Sequence, residues 1–179
     1  MDRKAIHVQW QTLQFAERHL PAGPVQQPYV PVLIAGGGER VTLRQVAEYG
    51  DISNFGENAH TGGVRTLDDM RRKLDALRRH CASAGRPYEA ILKSHIGLPV
   101  VVGASAAALE AKLEALFGSV PADSAAFHRR SIVSGTPEDL IGYYHGLIDL
   151  GIRYFIAAIY ADDSESRELL ARRVMQEFA

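Results

Sequence analysis

The sequence predicts an α/β fold organised on a parallel sheet, and three observations carry that prediction. The runs 31–35 and 153–160 are almost continuously apolar rather than alternating, as strands covered on both faces are. Stretches with helical apolar spacing separate the strand-like runs along the chain. The first run also ends abruptly in Gly36-Gly37-Gly38, with a helical pattern (Leu43, Val46, Ala47) starting within a turn. That describes a buried strand feeding a helix.

Composition bounds the rest. The chain has 179 residues, 46% hydrophobic and 23% charged, which is enough for one sizeable core in an ordinary globular domain. A formal net charge of −1 lacks the concentrated basic excess of a nucleic-acid binder. Arg71-Arg72-Lys73, with Arg78 and Arg79, is interleaved with Asp68, Asp69 and Asp75 and reads as a solvated helix face. The single cysteine, Cys81, excludes an internal disulfide and points to a reducing, cytoplasmic setting. It continues the stripe Leu67, Met70, Leu74, Leu77, as a packed core thiol would. No apolar run has the length of a membrane span, and the N-terminus has no signal-peptide pattern.

The elements follow in order. Residues 4–20 carry Ile6, Val8, Trp10, Leu13, Phe15, Ala16 and Leu20 in an imperfect helical pattern, read as a peripheral helix. Prolines 21, 24 and 28 make a rigid lead-in to the strand at 31–35. A helix at about 39–49 stops at Gly50. Asp51 to Gly56 reads as a short buried strand opening into a polar loop. Thr66 and Asp69 resemble a capping box for the clearest helix, which Gly85 and Pro87 end. Residues 91–102 are extended, broken at Gly97 and Pro99. Ser105 caps a helix expected to turn Leu109, Leu113, Leu116 and Phe117 inward.

The stretch 118–131 has no assignment, and Ile132-Val133 reads as a very short strand. Thr136-Pro137-Glu138-Asp139 then starts a helix with cap, first-position proline and first-turn acids, its apolar face being Leu140, Tyr144, Leu147 and Ile148. After the last strand, a final helix carries Leu169, Leu170, Val174 and Phe178. The whole reads as a single domain, 1–179, with 1–29 as helix and proline-rich lead-in and 30–179 as the strand–helix body.

The glycine junction is the candidate site. Glycines admit a ligand close to the backbone, and the first N–H groups of the helix, with the positive end of its dipole, suit a phosphate. The dinucleotide fingerprint G-x-G-x-x-G is not met, because Val41 stands where its last glycine would fall. The seven histidines show no H-x-H or H-E-x-x-H spacing, so no metal is expected. His80 and His128 read as exposed surface, while His60 is best placed for chemistry, in the loop after Phe55. Asp162 and Asp163 read as caps of the last helix, Ser134 and Thr136 as capping residues, and Tyr143 and Tyr144 as helix packing. No residue is assigned as catalytic.

As an ordered set, several stretches together resemble the bacterial luciferase-like monooxygenase family. They are Pro24-Val25-Gln26-Gln27-Pro28, Pro31 to Arg40, Thr42-Leu43, Ala47-Glu48-Tyr49-Gly50-Asp51, Gly85-Arg86, Gly135 to Leu140 and Gly151-Ile152-Arg153-Tyr154-Phe155. The likeness is greatest to the branch that uses a deazaflavin coenzyme of the F420 type, although FMN users share much of the pattern. The resemblance implies a partial TIM-barrel-like (β/α) fold, with residues 20–179 corresponding to the last three strand–helix units and the first five strands outside this sequence. It implies that Ala35, Gly36 and Gly37, with Gly38 and Glu39, hold the phosphate tail of the cofactor. Asn54 and Phe55 would end the next strand on the same active face.

Two functions follow from that resemblance. One is an oxidoreductase or monooxygenase chain that anchors a flavin or deazaflavin beside a small organic substrate. The other is a non-catalytic truncated barrel serving as a structural subunit or homodimer. Because three parallel strands cannot close on themselves, a homo-oligomer or a second chain carrying the other half-barrel is expected. A generic phosphate binder using only the Gly36 turn is a third, simpler reading.

Overall fold

The computed structural model describes residues 9–10, 13–14, 25–57 and 63–179. The chain divides into two units, Met1–Val30 and Pro31–Ala179. In the first, β1 (Gln9–Trp10) and β2 (Leu13–Gln14) pair antiparallel. A helix was expected there, but Ile6, Val8 and Trp10 alternate, as do Leu13 and Phe15, and a two-residue period favours strand. The rest of the expected helix lies outside the described residues.

The second unit holds the strand–helix body. β3 (Leu33–Ala35), β4 (Ile52–Gly56), β5 (Leu92–Gly97) and β8 (Tyr154–Ala157) form a four-stranded parallel sheet in that order. The connections are α1 (Thr42–Tyr49) between β3 and β4, and α2 (Leu67–Ala84) between β4 and β5. Between β5 and β8 the chain adds β6 (Val100–Val102), α3 (Ala106–Phe117), α4 (Ala122–Arg130), β7 (Val133–Gly135) and α5 (Pro137–Asp149). β6 and β7 pair parallel in a small sheet of their own. The chain ends with α6 (Ser164–Leu169), one wide helical turn over Leu170–Val174 and a tight one over Met175–Phe178.

Register separates the two faces of the large sheet. Leu33, Ile52 and Leu92 lie side by side, followed by Ala35, Asn54, Ser94 and Tyr154, then Gly56, Ile96 and Ile156. Residues of the alternate parity, Ile34, Phe55 and Phe155, face the helices and join a core with Leu43, Val46, Met70, Leu77, Leu140 and Leu147. Cys81 lies in that core, and its burial raises the thiol pKa, so it packs as a small hydrophobe.

The first face is open in part: Leu33 is 42% exposed, Leu92 38% and Tyr154 50%, whereas Asn54 and Ser94 are buried. In a closed barrel these positions would point into the packed centre.

The helix boundaries follow their local chemistry. Thr66 caps α2 by accepting from the Asp69 N–H (3.0 Å), and Gly85 ends it at φ 65°. Ser105 caps α3 through the Ala108 N–H. At α5 Thr136 and Asp139 form a reciprocal capping box, with Pro137 in the first turn. Two expectations change. Leu116 is 37% exposed, because only Leu109, Leu113 and Phe117 reach the small cluster around Val101. The unassigned 118–131 contains α4, which buries no residue fully and so lacks a readable apolar stripe.

Candidate functional site

The glycine turn sits at the C-terminal end of β3, the end at which (β/α) proteins build their sites. Gly36 adopts φ 119°, a region closed to other residues without strain, and its N–H donates to the Asn54 carbonyl (2.9 Å), extending the β3–β4 ladder. From Gly37 onward the turn is held by its carbonyls. The buried Lys73 amine donates to Gly37 O (2.8 Å), the His80 ring nitrogen lies 2.8 Å from Glu39 O, and the Leu43 N–H donates to Gly38 O (3.0 Å).

A trans peptide carries its C=O and N–H on opposite sides. Pinning the Gly37 and Gly38 carbonyls therefore turns the N–H groups of Gly38 and Glu39 away from those anchors. Among the described residues, no protein acceptor receives the N–H of Gly37, Gly38 or Glu39. α1 starts after Val41 with no side-chain cap and no acid in its first turn, so among the described residues no side chain of the helix offsets its positive end.

The Glu39 side chain turns to α2 instead. Its carboxylate meets Arg72 Nε at 3.0 Å and Lys73 Nζ at 3.7 Å. The Arg72 hydrogen bond, aided by Lys73, outweighs burial and holds the Glu39 carboxyl below its usual range.

Beside the turn lies a concavity of about 240 Å³ lined by Ala35, Gly36, Asn54, Gly56, Ile96 and Leu98, with Glu57 at its edge. Asn54 belongs to this face and accepts at Oδ1 from the Ser94 hydroxyl (2.9 Å). Phe55 likewise lies at the end of β4, with its side chain fully buried on the helix side, since successive strand residues point to opposite faces.

Glu57 belongs to a buried polar group that sequence reasoning missed. His95 Nε2 lies 2.6 Å from Glu57 Oε1, and the Tyr143 hydroxyl donates to the same oxygen (3.0 Å) while lying 3.1 Å from His95 Nε2. With the imidazole proton on Nε2 the group closes, and His95 Nδ1 is left buried without a partner. Burial and the neighbouring Glu57 carboxylate push the Tyr143 phenol far above its ordinary pKa, so it serves as a fixed donor. Tyr144 does pack as expected, edge-on against Phe155, and its phenol is pushed up to about 12, chiefly by burial.

The other candidates resolve into structural roles. Asp163 caps α6 through the Ser166 N–H (3.0 Å) and pairs with Lys112 (2.8 Å), whereas Asp162 contributes only its carbonyl to that turn. Thr136 caps α5. His128 is exposed and stacks on Phe117 (5.6 Å between centroids). His80, expected on the surface, is half-buried because it braces the glycine turn. His60 lies outside the described residues. Among the described residues no group of three or more His, Cys, Asp or Glu converges as a metal site, and no helix is long and apolar enough to cross a membrane.

Parallel strands with intervening helices and a glycine turn at a strand's C-terminal end make this a TIM-barrel-like (β/α) segment. The luciferase-like monooxygenase family model matches residues 5–173, and the chain belongs to that family. It is similar in structure to the coenzyme F420-dependent tetrahydromethanopterin reductase of Methanopyrus kandleri, with TM-score 0.67 and 13% identity over 97% of this chain and 58% of that one. The EDTA monooxygenase of Chelativorans sp. BNC1 aligns with TM-score 0.61 and 15% identity over 97% of this chain and 51% of its own. The oxygenating constituent of 3,6-diketocamphane monooxygenase from Pseudomonas putida, solved with FMN, aligns with TM-score 0.60 and 13% identity over 97% and 58%. The chain thus spans little more than half the length of these structures. No curated protein sequence matches it.

Proposed function

We propose that this chain supplies the phosphate-anchoring wall of a flavin or deazaflavin oxidoreductase site that acts on a small organic substrate. The observation that carries the reading is the set of amides at Gly37, Gly38 and Glu39. They have no acceptor among the described residues, and they follow directly on Ala35 and Gly36, which line the concavity at the end of β3, in the turn that leads into α1. Ala35 and Gly36 bring the backbone to that concavity, Gly36 by its positive φ. The bound cofactor would supply the redox chemistry, while this chain's residues bind and orient its phosphate. The relatives named F420-dependent, and the one solved with FMN, make both cofactors reasonable here.

The open inner face of the sheet supports a second element of the reading. Leu33, Leu92 and Tyr154 would be covered by further (β/α) units, supplied by a second copy or by a chain carrying the other half-barrel. The same face suits the alternative of a non-catalytic structural subunit, which would assemble without holding cofactor.

FMN and riboflavin, which lacks the phosphate, separate these readings. The chain is expected to bind FMN more tightly than riboflavin, as read by fluorescence quenching. Gly38→Asp should remove that preference, weakening FMN by roughly tenfold or more through charge repulsion at the amides. A Cβ at position 38 would meet Thr42 Oγ1 at 2.8 Å, so Gly38→Ala, which brings the same crowding without the charge, is the control and should keep the preference for FMN. Equal binding of the two flavins, or indifference to Gly38→Asp, would overturn the proposal.

A further inference from the structure

A second concavity of about 400 Å³ adjoins the first, with Glu57 lining both. Arg65, Arg129 and Arg130 line it, and Ile132, Val133 and Leu140 give it an apolar wall. Its size falls in the usual range for small-molecule sites, roughly 300–1,000 Å³.

Charge accounting distinguishes this cavity from ordinary surface. Arg129 is held by Glu110 (2.9 and 3.0 Å) and Glu114 (3.3 Å). Arg65 and Arg130 have no acidic side chain within ion-pair distance among the described residues. The two acids in the wall keep their charges but are hydrogen-bonded to neutral donors, and neither pairs with Arg65 or Arg130. Asp139 accepts at Oδ2 from the Thr136 N–H and hydroxyl (2.9 and 2.8 Å), and Glu57 accepts from Tyr143 and His95. An unpaired arginine alone on a surface is unremarkable in energy. Two of them in the lining of one cavity, paired with neither of its carboxylates, present guanidinium donors that a planar oxyanion can take, and the apolar wall suits a hydrocarbon body attached to it.

We infer that this cavity binds a small organic oxyanion, a carboxylate or phosphate ester with an apolar body, through Arg65 and Arg130. That this ligand is the substrate rests on the proposed cofactor site next door. The binding itself does not.

The test is calorimetric titration of the full chain at low ionic strength with benzoate, phenyl phosphate and neutral benzyl alcohol. Benzoate or phenyl phosphate should bind, the tighter of the two assigning the head group, and benzyl alcohol should not. The Arg65→Gln/Arg130→Gln double variant should weaken the anion by roughly tenfold or more. Arg79→Gln, which alters an exposed arginine elsewhere on α2, should leave it unchanged. Benzyl alcohol binding as well as benzoate, equal affinity in the double variant, or no anion binding at all would overturn the inference. FMN titrated in parallel keeps the two ideas apart: anion binding without FMN binding removes the proposed function and leaves the anion pocket standing.

Discussion

Lys73 shows how much a single side chain decides here. It is 4% exposed, donates to Gly37 O and lies 3.7 Å from Glu39. Replacing it by methionine keeps the apolar stem but strands a buried carbonyl. Lys73→Met is therefore expected to lower unfolding free energy by about 2 kcal/mol in urea titrations. It should also loosen the turn and weaken FMN binding. The sequence allowed this residue to be found: 70, 73 and 77 share a helix face, so a lysine among buried neighbours had to be paired. Reading it with Arg71 and Arg72 as one solvated cluster hid it, although those two arginines do make exposed pairs with Asp68 and Asp69. The Glu57, His95 and Tyr143 group could not be read in the same way, since its members lie 38 and 48 residues apart and meet only through strand register and the packing of α5.

Asp163 carries a pH prediction at the same scale. Burial works to raise its carboxyl pKa, but bonds from Lys112 and Ser166 prevail and hold it below the usual range. The folded pKa is then lower than the unfolded one of about 4. The stabilisation is complete above the unfolded value and is lost as pH falls through the lowered folded one. The urea midpoint of the unsubstituted chain should therefore drop on acidification below about pH 4 by more than that of Asp163→Asn, which keeps a capping side chain without the charge.

At the scale of elements, legibility tracked how local the determining chemistry is. The start of α5 was readable because threonine, proline and aspartate act within one turn, and the reciprocal capping box forms there. Thr136→Ala is expected to cost about 1–2 kcal/mol by chemical denaturation, against about 1 kcal/mol for Ser105→Ala, whose cap is a single bond. α4 was not readable. Its Ala125, Ala126 and Phe127 are only half-buried, and its basic last turn, His128 to Arg130, gives a dipole cue without an apolar stripe. The β1–β2 pair was misjudged because a two-residue period sat inside a longer, looser helical one.

For the whole molecule, the decisive quantity is the apolar surface that the sheet leaves on its open side. The continuous apolar runs predicted strands covered on both faces, but among the described residues the helices pack on one face, and Leu33, Leu92 and Tyr154 on the other remain exposed. Parallel strands are rarely left so. Burying such side chains contributes about 25 cal/mol per Å² of apolar area, which drives association in any copy whose neighbour units are elsewhere. The isolated chain is thus expected to exceed monomer mass in light scattering at micromolar concentration. Leu92→Lys combined with Tyr154→Lys should return it to monomer. Because both side chains already meet water, the urea midpoint should move by no more than about 0.5 kcal/mol equivalent. A double variant that stays associated would place the self-contact on another surface, and the inner face would then have to be covered by a different chain.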